Sequence, residues 1–108
     1  YFQNPRSATA ATWLGLLREE AGDAAGAREF YRAATAANPQ AAVAWLDWGV
    51  LEGKAGNWAE SERLLRRAVE LQPGDAKGWS NLATCLDRQG RAAEAEQAAA
   101  RAEALRVP

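Results

Sequence analysis

The sequence contains no histidine and no methionine, and it has a single cysteine, Cys85, among its 108 residues. Without histidine, neither a Ser-His nor a Cys-His nucleophile pair can form. Cys85 alone cannot close an internal disulfide, and one thiol with scattered carboxylates makes no metal-binding set. We therefore expect no catalytic residues, no metal and no cofactor. Cys85 lies at helical spacing from Leu82 and Leu86, which predicts a small packed side chain.

Long apolar runs and an excess of charge of either sign are also missing. No apolar stretch approaches the roughly 20 residues of a membrane-spanning helix, so we expect no membrane insertion. The 13 basic and 14 acidic residues leave a formal net charge of −1, which provides no general basic field for nucleic acid. The lone cysteine fits an intracellular, reducing compartment, either the cytoplasm or an organelle interior.

The residues that are abundant favour helices. Hydrophobic residues make up 48% of the chain, and many of them are alanines interspersed with arginine and glutamate. This composition favours closely packed helices over a sheet of β-branched residues. A chain of 108 residues supports one compact domain or a short repeat array. We expect an all-α fold.

Proline and glycine recur at a fixed spacing of 34 residues. The positions that share this spacing, which we call columns, include Pro5, Pro39 and Pro73; Gly22, Gly56 and Gly90; Gly15, Gly49 and Ala83; Leu14, Trp48 and Leu82; Ala27, Ser61 and Ala95; and Ala34, Ala68 and Ala102. Within each period one apolar helical pattern runs up to the glycine and a second runs on to the proline. Each period therefore predicts a helix hairpin, with small residues where its two helices come close.

The period divides the chain into three repeats over 8–41, 42–75 and 76–108, with about six helices in all. Residues 4–7 resemble the end of a preceding junction, and Val107-Pro108 resembles the start of another. Residues 1–3 match the end of a common protease-cleavage tag and are left out of the functional argument.

These boundaries predict a fragment of a longer array with uncapped end faces and possible weak self-association. The apolar residues of the last helix that we expect to face a missing neighbour are Ala95, Ala98, Ala99, Ala102 and Leu105.

The columns resemble the tetratricopeptide repeat, a 34-residue helix-turn-helix unit. The matching residues are Trp45, Gly49, Gly56, Leu65, Ala68 and Pro73 of the middle repeat and Trp79, Leu82, Ala83, Gly90, Ala95 and Ala102 of the last. The resemblance implies a right-handed α-solenoid of stacked hairpins, whose first helices line a concave groove that binds a protein partner. The middle repeat is also similar to the half-a-tetratricopeptide variant, through Trp45, Trp48, Glu52, Gly56, Arg67 and Pro73.

Three of the five tryptophans, Trp45, Trp48 and Trp58, fall within the middle repeat. Trp45 and Trp48 share a helix face, and Trp58 begins the returning helix, so we expect all three in the core. A platform on which nucleic-acid bases stack would instead need exposed aromatic side chains along a positively charged groove. For Glu52, one turn after Trp48, the sequence leaves open a hydrogen bond from an indole N–H or plain exposure to solvent.

The groove residues follow from the columns of the first helices. They are Trp13, Leu16, Glu19 and Glu20 in the first repeat, Leu46, Asp47, Val50 and Lys54 in the second, and Lys77, Asn81, Thr84 and Arg88 in the third. Trp13, Leu16, Leu46 and Val50 would form an apolar strip that contributes little to helix packing, although Trp13 and Leu16 could instead pack against a preceding repeat.

Two functions stay open at this point. The first is a protein-protein interaction module that is part of a longer scaffold and holds a peptide or helix in its groove. The second is an RNA-binding or RNA-processing array, because half-a-tetratricopeptide repeats resemble those of RNA-maturation proteins. Arg63, Arg66 and Arg67 would then be a local basic cluster, although solvated charges on an outer helix face are the simpler interpretation of these arginines.

Paired acidic residues and the known clamp of the family point to no further function. Glu19-Glu20 and Glu60/Glu62 are expected on solvated helix faces. Family members that grip the acidic C-termini of heat-shock chaperones use a clamp of Lys, Asn and Arg. The corresponding residues here are Thr12, Leu16, Asp47, Lys77 and Asn81, and only Lys77 matches. We therefore do not expect that function.

Overall fold

A computed structural model describes residues 5–106, with side chains from residue 8 onward. The helices are α1 (Pro5–Glu20), α2 (Ala24–Ala37), α3 (Ala42–Lys54), α4 (Trp58–Leu71), α5 (Ala76–Arg88) and α6 (Ala92–Arg106). No strand occurs within 5–106, which confirms the all-α prediction. Residues 1–3, Asn4 and the Val107-Pro108 junction lie outside the described residues.

Consecutive helices pair as three hairpins, α1 with α2, α3 with α4, and α5 with α6. Each hairpin turns at the glycine of one column, with φ of 81° at Gly22, 83° at Gly56 and 79° at Gly90. At the first turn Asp23 N–H donates to the carbonyl of Arg18 and Gly22 N–H to that of Glu19. This pattern satisfies the last carbonyls of the helix and needs a left-handed residue, which glycine adopts without a steric penalty.

Small residues let the two helices of a hairpin approach closely, as their columns predicted. A Cβ placed on Gly15 would lie 2.5 Å from the Tyr31 ring, and one on Gly49 would lie 2.8 Å from Leu65. Both distances are shorter than any real Cβ contact, so glycine is required where Tyr31 and Leu65 pack.

The core consists of two apolar clusters at the junctions between hairpins. One contains Ala27, Tyr31, Trp48, Leu51 and Leu64. The other contains Leu65, Val69, Leu82, Cys85, Leu86, Ala95 and Ala98. Because each cluster draws residues from adjacent hairpins, the hairpins stack into a continuous array. Cys85 is fully buried, as its helical spacing predicted.

The expectation of three core tryptophans is correct for Trp48 and only partly correct for the other two. Trp48 is 7% exposed, whereas Trp45 and Trp58 are partly buried at the edges of the clusters. Trp45 lies at the edge because its indole N–H donates to the carbonyl of Pro39 across 2.9 Å. Trp79, one period later, makes the same bond to Pro73 at 2.8 Å. These two indoles therefore tie each first helix to the junction that precedes it.

The described part of the chain measures 42 × 28 × 21 Å along its principal axes. The three first helices lie next to one another, since α1 contacts α3 and α3 contacts α5. Within 5–106, none of the helices has both the length and the apolar character needed to cross a membrane.

Candidate functional site

The candidate site is a groove along α1 and α3. A depression of about 580 Å³ brings together seven of the predicted residues: Trp13, Leu16, Glu19, Glu20, Asp47, Val50 and Lys54. Trp13 is 61% exposed, so a large indole stands at the edge of this depression in contact with solvent. We call these seven residues the groove residues.

Two further depressions continue the groove. One of about 590 Å³ shares Trp13 and Leu16 and extends toward the start of α3 and the end of α4. A smaller one of about 250 Å³ joins Val50 and Lys54 to Asn81 and Thr84 of α5. The surface along the first helices is therefore concave from α1 to α5, with Trp13 and Val50 at the points where adjacent depressions meet.

Three predicted site residues lie outside these depressions. Leu46 is partly buried and packs against the cluster of Leu65, Leu82 and Leu86, so its assignment to an exposed apolar strip is wrong. It points toward the third hairpin because α3 is covered by α5 on that side. Lys77 is exposed. Arg88 lies over the ring of Trp58, 5.5 Å from the ring centroid.

Leu17 is an apolar residue of the depression that was not among the predicted site residues. It is 50% exposed and lies one helical turn after Trp13, on the same side of α1. The signal that could have found it is this i, i+4 spacing. The repeat columns pointed the other way, because Cys85, two periods after Leu17, was predicted to be a packed side chain.

Glu19 is not on a solvated helix face, contrary to expectation. Its carboxylate accepts a hydrogen bond from the Tyr31 hydroxyl and lies 3.7 Å from Lys54 Nζ, and its side chain is 15% exposed. Burial, followed by the hydrogen bond to this carboxylate, raises the pKa of Tyr31. Glu20 is exposed, as predicted.

Asp47 lies in the same depression and makes it acidic. Burial and the nearby Glu19 carboxylate raise the pKa of Asp47 to about 6, while Lys77 acts in the opposite direction. A carboxylate with so high a pKa gains from any cation that comes close to it. The groove therefore combines apolar walls with a carboxylate whose negative charge Lys77 offsets only in part.

Glu52 lies behind the groove at the junction between the first two hairpins. It accepts hydrogen bonds from the Trp48 indole at 3.0 Å, from Asn57 Nδ2 at 2.8 Å and from Arg28 Nε at 2.6 Å. Of the two possibilities for Glu52, the indole hydrogen bond is confirmed. Burial alone would raise the pKa of Glu52, but the bonds from Arg28, Asn57 and Trp48 outweigh it and lower the pKa.

Glu62 is the second acidic residue whose predicted exposure is wrong. Its side chain is 14% exposed and pairs with Arg66 at 2.8 Å and with Arg91 at 2.7 Å, and it accepts a hydrogen bond from Gln89. These bonds link α4 to the hairpin formed by α5 and α6. Burial would raise the pKa of Glu62, yet the bonds from its three partners lower it.

The arginines of α4 are paired with carboxylates. Arg63 binds Glu60 at 2.6 Å, Arg66 binds Glu62, and Arg67 binds Glu70 at 3.2 Å. Each positive charge has an acidic neighbour within the same helix, so these residues do not present a free basic patch. Within 5–106, no group of three or more Cys, Asp or Glu residues is arranged to hold a metal ion.

The last helix faces inward more than we expected. Ala95, Ala98 and Ala102 are buried, and the first two belong to the cluster formed with α5. Only Ala99 and Leu105 of the five residues are exposed. The correction follows from the hairpin geometry, because α6 uses its alanine face to pack against its own partner helix.

Stacked helix hairpins with a concave surface along their first helices define a helical repeat protein of the solenoid class. A family model described as tetratricopeptide repeat matches residues 1–42 and 46–106. The chain belongs to the tetratricopeptide repeat family. The half-a-tetratricopeptide character of the middle repeat stays a prediction.

Solved structures with the same fold include three of different origin. The second tetratricopeptide domain of Spaghetti (RPAP3), bound to the HSP90 peptide SRMEEVD, is 22% identical with a TM-score of 0.91, over 95% of both chains. MamA is 19% identical with a TM-score of 0.88, over 94% of this chain and 60% of MamA. A mutant O-GlcNAc transferase of Thermobaculum terrenum is 27% identical with a TM-score of 0.86, over 94% of this chain and 19% of the enzyme. Among curated proteins, no sequence matches the chain significantly.

Proposed function

We propose that this chain is a protein-interaction module, part of a longer scaffold, that holds a peptide or helical segment in the groove along α1 and α3. The observation that carries the proposal is the depression of about 580 Å³, in which an exposed tryptophan stands above an apolar wall. Monomeric proteins rarely expose apolar surface of this kind without a binding role. The fold is consistent with the proposal because helical repeats present extended concave binding surfaces.

The chemistry of the groove selects the kind of segment. Trp13, Leu16 and Val50 line the apolar side and suit spaced apolar side chains, as in helix-in-groove recognition. Asp47 and Glu19 add negative charge, and Lys54 offsets only part of it. We therefore expect the segment to carry lysine or arginine beside its apolar residues.

The same charges disfavour an acidic partner. The peptide bound to the Spaghetti domain, SRMEEVD, ends in acidic residues. In this chain Asp47 stands at a position where the chaperone-binding clamp has a polar partner, and its pKa is raised to about 6 first by burial and then by the neighbouring Glu19 carboxylate. An acidic C-terminus would bring like charges together, which costs binding free energy.

The test uses two synthetic helical peptides with the same leucine pattern, one with lysines and one with glutamates on the polar face. Binding is measured by fluorescence anisotropy of the labelled peptides and mapped by NMR chemical-shift changes. We expect the lysine peptide to bind at least about tenfold more tightly than the glutamate peptide, because Asp47 and Glu19 carry the opposite charge. A tenfold difference in affinity corresponds to about 1.4 kcal/mol of binding free energy. Shifts should concentrate at the Trp13 indole and around Val50.

Two variants locate the site. Trp13→Ala should weaken binding of the lysine peptide by removing the exposed indole. Val50→Asp should weaken it by disrupting the apolar wall. Arg67→Ala, which alters the exposed side of α4, is the matched control and should bind as the parent does. If both groove variants bound the lysine peptide as tightly as the parent does, the site would lie elsewhere. Salt-dependent capture of a single-stranded RNA oligonucleotide, with no peptide binding, would favour the RNA-binding alternative instead.

A further inference from the structure

Most tryptophan rings of this chain are covered by another side chain of the same chain. A guanidinium lies over three of them, 4.9–5.7 Å from the ring centroid: Arg32 over Trp48, Arg88 over Trp58 and Arg101 over Trp79. A fourth ring, that of Trp45, stacks on Trp48 with 6.0 Å between the centroids. The negative face of an indole attracts a cation placed over it. Four of the five tryptophans therefore have a partner for a ring face within the chain.

Trp13 is the exception. Within residues 8–106, neither a cation nor a second ring lies over its indole, and the residue is 61% exposed. The indole lines the depression of about 580 Å³. An aromatic side chain exposed in a concave surface is typical of a binding site. Trp13 is therefore the tryptophan whose ring face is available to a group from another molecule.

The exposure of Trp13 does not depend on what precedes α1. Trp13, Asp47 and Asn81 share one column. In the middle hairpin, α3 has a first helix on each side, since it contacts both α1 and α5. Asp47 of α3 nevertheless lines the open depression. A further first helix beside α1 would leave the column of Trp13 on the groove in the same way.

Asp47 provides a carboxylate next to the Trp13 indole. The two residues stand one period apart on adjacent helices and line the same depression. Asp47 is partly buried, and within residues 8–106 its side chain has neither an ion pair nor a hydrogen bond. Lys77 acts on it only from a distance, and Glu19 repels it. The carboxylate is therefore free to accept two hydrogen bonds.

The other charged groups of the depression are engaged or lie further along it. Glu19 accepts a hydrogen bond from Tyr31 and is 3.7 Å from Lys54. Glu20 stands seven residues after Trp13, which is about 10 Å along a helix. Trp13 and Asp47 are thus the ring and the carboxylate that lie at the same level of the groove.

A ring and a carboxylate already hold one guanidinium at two other places in this chain. Arg32 lies over Trp48 and is 2.7 Å from Glu29, and Arg18 lies over Phe30 and is 3.9 Å from Asp23. A guanidinium suits both groups, because its flat face stacks on a ring while its N–H edge donates two parallel bonds to a carboxylate. The ammonium of lysine is a compact point charge and offers neither the flat face nor the paired donors.

We propose that the groove binds one arginine side chain of the partner segment, with its guanidinium stacked on the Trp13 indole and hydrogen-bonded to the Asp47 carboxylate. This assignment rests on the proposed function, because the arginine belongs to the segment that the groove holds. It adds the residue type, arginine in preference to lysine, and the two groups that recognise it. The apolar side chains of the segment then pack against Leu16 and Val50, which line the same depression.

An arginine scan of the lysine peptide tests the assignment. Each lysine is replaced in turn by arginine and, in a second series, by citrulline, which has a similar flat shape and no charge. Fluorescence anisotropy measures the dissociation constant of each peptide. We expect one position at which arginine binds at least about threefold more tightly than lysine, a gain comparable to one exposed cation–π contact. Citrulline at that position should bind more weakly than either.

Variants of the two groups should remove the preference for arginine. Trp13→Leu keeps an apolar side chain without the ring face, and Asp47→Asn removes the charge, so with either variant the arginine and lysine peptides should bind equally within about twofold. Trp13→Tyr restores a ring and should recover part of the preference. Glu103→Gln, which removes an exposed acid of α6, is the control and should keep the full preference. Circular dichroism checks that each variant is folded.

The outcomes separate this assignment from the proposed function. If the peptides bind but no position favours arginine over lysine, the assignment is wrong while the groove still holds a segment. The same conclusion follows if either Trp13→Leu or Asp47→Asn keeps the full preference, since both groups are needed to distinguish the two cations. If none of the peptides binds, the proposed function fails and the assignment fails with it.

Discussion

Arg28 of α2 and Glu52 of α3 are joined across the first hairpin junction by two hydrogen bonds, of 2.6 Å from Nε and 3.2 Å from the second guanidinium nitrogen. The Glu52 side chain is 4% exposed and that of Arg28 is 29% exposed. The carboxylate is therefore buried, while the guanidinium still reaches water. The pair joins α2 to α3 across the junction, and the Trp48 indole on the same carboxylate links it to the apolar cluster.

Replacing Arg28 by alanine should destabilise the fold. The change leaves the Glu52 carboxylate with two neutral donors, and breaking a buried pair by removing one partner costs several kcal/mol. Because Arg28 is partly exposed, we expect a loss of about 2–3 kcal/mol in the free energy of unfolding, below the fully buried range. Urea unfolding followed by circular dichroism measures the loss. Arg63→Ala, which removes an exposed pair with Glu60, should cost less than about 1 kcal/mol; equal losses for both variants would contradict the argument.

Acid should remove the contribution of Glu52. Its folded pKa lies below the ordinary value of 4.5, so the carboxylate contributes stability above that value, and the contribution is lost as the pH falls through the lower, folded pKa. We expect Glu52→Gln to be less stable than the parent at pH 7 and the difference to shrink as the pH approaches 3. The measurement is a series of urea titrations between pH 3 and pH 7. A difference that stayed constant with pH would show that the carboxylate charge is not responsible.

Asp47 should show the opposite dependence. Its pKa is raised from 3.8 to about 6, first by burial and then by Glu19, so its favourable contribution is present below 3.8 and is lost as the pH rises through about 6. Asp47→Asn should therefore stabilise the fold by about 1 kcal/mol at pH 7, less than the full pKa displacement implies because the groove is open to water. The gain should vanish below pH 4. Asp87→Asn on the exposed side of α5 is the control, and a gain of equal size there would indicate a general charge effect.

The fold could be predicted from the sequence because a single period governs both turns and packing. Gly22 and the glycines of its column adopt the positive φ that each hairpin turn requires. Gly15 lacks a side chain where the Tyr31 ring packs against the backbone. Both are local demands on one residue type. They repeat every 34 residues, so the hairpins and their order follow without knowledge of any contact.

The polar contacts between hairpins could not be predicted in the same way. Glu62 and Arg91 are 29 residues apart, and their columns contain arginine and aspartate in the first repeat. No periodic signal distinguishes this buried pair from the exposed carboxylates of α4. The position of Leu46 could not be predicted for a related reason. The helix α3 contacts α1, α2, α4 and α5, and the sequence of one helix does not reveal how many neighbours it has.

Two tryptophans should respond very differently to truncation. Trp48→Ala removes a side chain packed against Tyr31, Leu51 and Leu64 and should cost about 3–5 kcal/mol. Trp13→Ala removes an indole that is 61% exposed and should cost less than about 1 kcal/mol. Thermal and urea unfolding of the two proteins provide the comparison. Similar losses would mean that Trp13 belongs to the core and is not free to bind a partner.

The two residues first grouped as one apolar strip, Leu46 and Val50, should separate when each is replaced by aspartate. Leu46→Asp places a charge against Leu65 and Leu82, and burying an unpaired carboxylate there should cost at least about 3 kcal/mol and lower the melting temperature. Val50→Asp lies in the open depression, where the carboxylate stays hydrated, so the protein should keep its helical content and lose about 1 kcal/mol or less.

Peptide binding completes this comparison. The Val50→Asp protein should bind the lysine peptide more weakly than the parent while its melting changes little, because the altered side chain lines the groove and not the core. Circular dichroism melts and fluorescence anisotropy, recorded on the same samples, separate the two effects. If Val50→Asp unfolded the array as Leu46→Asp does, Val50 would be a core residue and the groove would begin at Trp13 instead. If Leu46→Asp left the melt unchanged, the packing of α3 against the third hairpin would be looser than the buried cluster around Leu65 and Leu82 implies.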